Sequence, residues 1–345
     1  VMGYLLDNFN KKKILLWSTL IPALLCSVIP ILSKYSVSIF FYYVIAFLIP
    51  LFSTLFQTGF SVITPALFEK EELQKYNSQF QGVRTISKLI SPALAGVLML
   101  KFNINSIFFI NSASFLLLFF SILISYIPNQ GHKENGNDDI KEMFTGFKEN
   151  FTNIKLRVSL LFTIVVNIAM LGFNATIIYY LQDQLKLSNS LVGIVYSIAG
   201  FGSLIAVTLL STFLNKKDTF ILMNISMATI PLVIMASGIV ENWIFFGICY
   251  SILSGLITIA SISITTIQQQ ESTEYNIGKI LSSSFVIATI FAPFGGILAA
   301  YFNWLLNPRL SLVLLGLLSS LLVILIKSYE KKLAKKRTAI FIKED

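Results

Sequence analysis

Ten apolar stretches dominate this chain, at 14–32, 39–61, 82–100, 106–127, 158–181, 190–213, 219–240, 243–267, 280–301 and 309–326. At 1.5 Å of rise per residue, about 20 helical residues cross the ~30 Å hydrocarbon layer of a bilayer, and each stretch is about that long. A backbone in hydrocarbon must satisfy its own polar groups, so the stretches predict helices rather than open strands. Positive charge alternates along the connections. Of 26 Lys and Arg residues, 22 fall in 1–13, 68–89, 128–157, 214–218, 268–279 and the segment from 327. The intervening connections hold four, Lys34, Lys101, Lys186 and Arg309. Cationic segments stay on the cytoplasmic side, so both ends of the chain are expected inside the cell. The expected fold class is an all-α polytopic membrane protein of the plasma membrane, with the lipid bilayer as its first partner.

Charged residues make up 12% of the chain, about half the share of a soluble protein. The net charge of +9 does not point to nucleic acid, because the basic residues sit at membrane boundaries. The tail from Lys327 to Lys343 carries seven cations and is expected to lie against anionic headgroups, at ~1 kcal/mol per cation near the surface. Cys26 and Cys249 lie in distant spans and read as small buried side chains. The single histidine, His132, has no Cys or His neighbour in sequence. No metal, no cofactor and no catalytic cluster of His, Cys, Asp or Glu at one membrane depth is expected, which argues against a membrane-embedded enzyme.

The longest polar stretch, Pro128 to Arg157, separates four spans from six. The expected organisation is an incomplete N-terminal bundle over 1–127 and a cytoplasmic linker over 128–157. A six-helix bundle over 158–326 and a basic tail over 327–345 follow. An internal repeat crosses the linker at an offset near 200 residues. Asn10-Lys11-Lys12-Lys13 corresponds to Asn215-Lys216-Lys217-Asp218, and Tyr76-Asn77 before Pro92 corresponds to Tyr275-Asn276 before Pro293. Two related halves are a recurrent transporter plan. The imbalance of four against six, with Val1 to Leu6 reading as the end of a further helix, predicts about two more spans upstream. A native ten-span protein is the alternative.

Gly3-Tyr4-Leu5-Leu6-Asp7-Asn8-Phe9-Asn10-Lys11-Lys12-Lys13 resembles the loop signature of the major facilitator superfamily, G-x-L-x-D-R-x-G-R-R/K. Gly3 and Asp7 match. Asn8 and Asn10 stand where the family has Arg and Gly. Ser91-Pro92-Ala93-Leu94-Ala95-Gly96 is similar to a degraded antiporter signature, and Ala292-Pro293-Phe294-Gly295-Gly296 is its counterpart in the second half. The resemblance implies two helix bundles around a central site, alternating access, and conformational roles for Gly3, Asp7, Pro92, Gly96, Pro293, Gly295 and Gly296. Thr64-Pro65-Ala66-Leu67-Phe68, Phe109 to Phe115 and Gly200-Phe201-Gly202-Ser203 resemble the drug-efflux branch that includes macrolide and enterobactin exporters.

Three spans carry polar side chains at helical spacing. In 243–267 and just beyond, Tyr250, Ser254, Thr258, Ser261, Thr265 and Gln268 share a face. In 39–61, Tyr43, Pro50, Thr54, Gln57 and Ser61 do so, and in 158–181, Thr163, Asn167, Met170 and Asn174. Polar groups are costly in hydrocarbon, so these faces should meet protein or water. Tyr43, Gln57, Asn167, Asn174, Tyr250, Ser254, Thr258 and Ser261 are the candidate solute-binding residues. Back-bonding of Ser and Thr to their own helix is the structural alternative. Such a lining suits a bulky amphipathic small molecule. No acidic residue lies deep in a span; Asp183 and Glu241 sit at outer ends. The expected function is a monomeric secondary exporter, with proton coupling implied by the resemblance alone. A non-transporting scaffold or sensor, or an inactive truncated product, is the rival.

Overall fold

The computed structural model describes residues 10–35, 38–127, 145–214, 217–273 and 276–344. Each apolar stretch corresponds to one long helix. The helices are α1 (Lys11–Lys34), α2 (Ile39–Leu67), α3 (Leu73–Lys101), α4 (Ile104–Ile124), a short α5 (Thr145–Thr152), α6 (Ile154–Tyr179), α7 (Asn189–Thr212), α8 (Thr219–Ile239), α9 (Trp243–Glu271), α10 (Ile277–Leu305) and α11 (Pro308–Glu344). A π-helical turn, Tyr180–Gln184, continues α6. Among the described residues, nine helices are long and apolar enough to cross a membrane.

Local chemistry sets where the helices begin. The first turn of a helix leaves backbone N–H groups without partners, and a short polar side chain just before it accepts from them. Asn10 accepts from Lys13 N, Asn103 from Ser106 N, Asn153 from Lys155 N and Asp218 from Phe220 N. Lys12 does the complementary job at a helix end: its Nζ donates to the Leu123 and Ser125 carbonyls, each at 2.8 Å, where the α4 dipole is negative.

By their contacts the residues fall into two units, each interrupted in sequence. The first draws on Val1–Lys70, Lys88–Phe147 and Ser272–Ser282; the second on Glu71–Ser87, Lys148–Glu271 and Ser283–Asp345. In the first, α1 packs between α4 and α2. Ser112 Oγ donates to the Ala23 carbonyl at 2.7 Å, and Asn111 Nδ2 contacts Cys26 Sγ at 3.4 Å. Cys26 is buried, Cys249 is half-buried, and both are free thiols.

The second unit is built around α6, whose Val158, Phe162, Phe173 and Ile177 are fully buried. Hydrophobic transfer does not drive helices together inside lipid, so close backbone packing at small residues does more of the work. A Cβ at Gly172 would stand 3.0 Å from the Gly295 carbonyl oxygen, and one at Gly255 3.1 Å from the Gly202 carbonyl oxygen. These pairs bring α6 against α10 and α7 against α9.

Two helices change unit along their length. Residues 73–87 of α3 belong to the second unit and its remainder to the first. Residues 277–282 of α10 belong to the first unit and its remainder to the second.

Candidate functional site

The polar stripe of α9 is the backbone of the site. Tyr250 begins it and is buried among rings: its centroid lies 5.1 Å from Phe173 on α6 and 5.7 Å, edge-on, from Tyr196 on α7. One turn on, the Ser254 carbonyl accepts from Thr258 Oγ1 at 2.9 Å and from Ser203 Oγ of α7 at 3.3 Å. Thr258 is buried, Ser254 is half-buried and Ser261 is exposed. The Ser261 carbonyl accepts from Thr265 Oγ1 at 3.0 Å. The stripe therefore runs along α9 with α6 on one side and α7 on the other.

On α6, Thr163, Asn167 and Asn174 share the helix face next to the one carrying Phe173 toward Phe246 and Tyr250 of α9. Asn174 is exposed. Asn167 is half-buried and its Nδ2 donates to the Thr163 carbonyl at 2.8 Å, so the amide finds a partner one turn back on its own helix. Back-bonding thus extends from the hydroxyls to this amide.

Sequence reasoning missed Tyr196, which is 37% exposed. Tyr196, Gly200, Ser203 and Val207 recur at steps of four, three and four, a helical signal diluted by the small residues between them. At the other end of this face the start of α3 closes over α7 and α9. A Cβ at Gly82 would lie 2.9 Å from Val207 Cγ1. Asn77 Nδ2 donates to Thr266 Oγ1 at 2.9 Å and to Gln269 Oε1 at 2.7 Å. Gln74, 2% exposed, donates to the Leu214 carbonyl at 2.9 Å and accepts from Thr219 Oγ1 at 3.1 Å. The sequence repeat flagged Asn77 without revealing this clasp.

In the first unit, Tyr43 and Gln57 are exposed on α2. Gly3 and Asp7 lie outside the described residues. Pro92 and Gly96 fall on α3, at positions whose side-chain surroundings are likewise outside them. Pro293 lies within α10. Next to it, Gly295 meets the Ile168 backbone of α6, whereas Gly296 has nothing closer to its Cβ direction than Leu171 Cδ2 at 4.0 Å. Just past the end of α8 Glu241 is not isolated: Arg309 pairs with it at 2.6 Å and also donates to the Ile239 carbonyl at 3.1 Å.

A cavity of about 540 Å³ opens at the opposite end of the second unit, lined by Glu71, Gln74, Lys155, Lys217, Asp218 and Glu271 among others. Its charges are of both signs, and Lys155 pairs with Glu271 at 2.7 Å. The α9 stripe is different in kind, a neutral wall of hydroxyls, amides and tyrosine rings.

Residues 1–282 match the Major Facilitator Superfamily. Macrolide efflux protein A of Streptococcus pyogenes is 26% identical over 306 residues, covering 87% of this chain and 76% of that protein. Macrolide efflux protein A of Enterococcus faecalis is 25% identical over 299 residues, covering 85% and 93% respectively. The solved structure of a human organic anion transporter resembles this fold with a TM-score of 0.77 at 11% identity, over 94% of this chain and 79% of that one.

Proposed function

This chain belongs to the Major Facilitator Superfamily and is a multi-pass membrane transporter of a small-molecule substrate, and on that premise we propose that it exports bulky amphipathic molecules by alternating access, as a monomer, at the expense of a proton gradient. The observation that supports the solute class is the neutral polar stripe of α9, where Tyr250 adjoins Tyr196 and Phe173 and Ser254, Thr258 and Ser261 follow at helical spacing; Asn167 and Asn174 of α6 are proposed to join it. Amides and hydroxyls there orient a solute while aromatic rings supply apolar area. Tyr43 and Gln57 of α2 are the proposed contribution of the first unit. The names of the two bacterial relatives support a drug-like cargo and an outward direction. Pro92, Gly96, Pro293, Gly295 and Gly296 are the proposed conformational positions, together with Gly3 and Asp7. The proposed bundles are 1–127 and 158–326, joined by a cytoplasmic linker over 128–157, with the basic tail over 327–345 also inside.

The test is flux. Membrane vesicles carrying the full-length protein are loaded with a macrolide or a lipophilic dye and energised with a pH gradient, with Asn174→Leu and Gln57→Leu as variants. Expected are gradient-dependent export by the wild type and reduced export by variants that still insert normally. Unaltered transport of every tested solute by the double variant removes these residues from the site, and export indifferent to the gradient removes proton coupling.

A further inference from the structure

We propose that Tyr196 is the residue by which the second unit selects its solute, and that the solute it selects carries an aromatic ring. The proposal rests on the transporter reading and narrows its cargo.

Five rings of the second unit form one column. Tyr180 stacks on Phe246 at 5.2 Å and Phe246 on Phe173 at 6.4 Å. Phe173 meets Tyr250 at 5.1 Å, and Tyr250 meets Tyr196 at 5.7 Å. Exposure rises along the column. Tyr180, Phe246 and Phe173 are fully buried, Tyr250 is 7% exposed and Tyr196 is 37% exposed. The column therefore opens at one ring. Tyr196 and Tyr250 meet edge to face, with 76° between their planes. Whichever ring gives the edge, at least one face of Tyr196 is left over. Among the described residues no second ring stacks on it.

That face lies beside the polar stripe and away from the lipid side of α7. Tyr196 shares its side of the helix with Ser203, whose Oγ donates to the Ser254 carbonyl of α9. At about 3.6 residues per turn, Phe201 and Ile205 fall on the far side of α7. They are 62% and 59% exposed, as an apolar surface covered by lipid should be.

What the free ring discriminates follows from the solvent. An amphipathic solute reaches the site through hydrocarbon, where burying apolar area gains little. The attraction of one ring for another persists there, because it comes from the ring quadrupoles as well as from area. An aliphatic solute has nothing equivalent to offer. The contact with Tyr250 holds Tyr196 in place, so little side-chain freedom is lost when a solute stacks on it.

Two phosphonium ions separate ring contact from charge and size. Tetraphenylphosphonium and tetrahexylphosphonium share their charge and carbon count, and only the first has rings. Each is titrated calorimetrically against the full-length protein in lipid nanodiscs, with the signal of empty nanodiscs subtracted. Tyr196→Leu should weaken tetraphenylphosphonium binding by about 2- to 12-fold, the worth of one ring pair. It should leave tetrahexylphosphonium binding unchanged, and Tyr196→Phe should leave both ions at their wild-type affinities. Equal weakening of the two ions would make Tyr196 a packing residue and overturn the proposal. So would an unchanged tetraphenylphosphonium affinity, or no binding of that ion by the wild type. If the Leu variant fails to assemble, Tyr196→Trp decides: its larger ring should tighten tetraphenylphosphonium relative to tetrahexylphosphonium, and an unmoved ratio overturns the proposal. Macrolide flux in energised vesicles is measured separately, so failure of the ring contact leaves the transporter reading standing.

Discussion

The adjacent glycines of α10 should respond in opposite directions to the same added methyl group. A Cβ at Gly295 falls on the Ile168 carbonyl of α6, inside the 3.0 Å that real Cβ atoms keep from their neighbours. The obstacle is backbone, so it cannot swing aside as a side-chain tip would. Gly172 on α6 makes the reciprocal approach, its Cβ direction lying 3.0 Å from both the Gly295 carbonyl oxygen and Leu315 Cδ2. Neither helix can retreat without opening a packed contact. Overpacking of this kind costs about 1–3 kcal/mol. At about 2–4 °C per kcal/mol for a unit of this size, Gly295→Ala should lower the melting temperature by roughly 2–12 °C. At Gly296 the nearest atom is Leu171 Cδ2 at 4.0 Å, an ordinary contact. There the methyl group meets no obstruction, and replacing Gly by Ala in a helix gains up to about 1 kcal/mol. Gly296→Ala should therefore be neutral or raise the midpoint by as much as about 4 °C. The assay is thermal unfolding of the purified full-length protein in one detergent, followed by fluorescence-detected gel filtration. Equal midpoints for the two variants would refute the reading of Gly295 as a backbone contact.

Three other outcomes are expected. Asn77→Leu removes bonds of 2.9 and 2.7 Å and should cost about 1–3 kcal/mol. Thr266→Ala should add little to it, and strict additivity in the double variant would exclude a shared clasp. Glu241→Gln should change stability by no more than about 1 kcal/mol, because the Glu241 and Arg309 side chains are 77% and 40% exposed. Loss of gradient-driven export with an intact fold would instead make Glu241 a proton relay. For the proposed orientation, cysteines placed at Asn105 and Ser188 in a cysteine-free background should react with an impermeant reagent in intact cells, while Gly131→Cys should not; the reverse pattern inverts the topology.

The spans were legible because bilayer thickness and helix rise leave a chain of this hydropathy little choice. Helix ends were less so. Hydropathy stops at 267, yet α9 continues to Glu271, because Gln268 and Gln269 are buried by protein rather than lipid. The first third of α3, 73–81, is too polar to register as a span, although it is a continuous part of the helix. The tail beyond 326 was read as a separate element, whereas α11 runs unbroken to Glu344 with no Gly or Pro after Gly316 to stop it. In the site, spacing alone revealed the α9 stripe, because its polar residues recur every three or four positions. It could not say that Asn167 would satisfy itself one turn back, nor that Tyr196 would meet Tyr250, since both depend on which neighbour a face finds.

The clasp at Gln74 and Asn77 has one more consequence. It is made wholly of neutral groups, although the segment 68–89 that supplies Gln74 and Asn77 also carries four cations. Ionic strength screens charge pairs and pH titrates them, but neither acts on an amide bonded to a hydroxyl or a carbonyl. Separating those partners also moves no net charge of their own through the membrane field, so voltage has no purchase on it. Drifts in salt, acidity or membrane potential would leave this fastening unchanged.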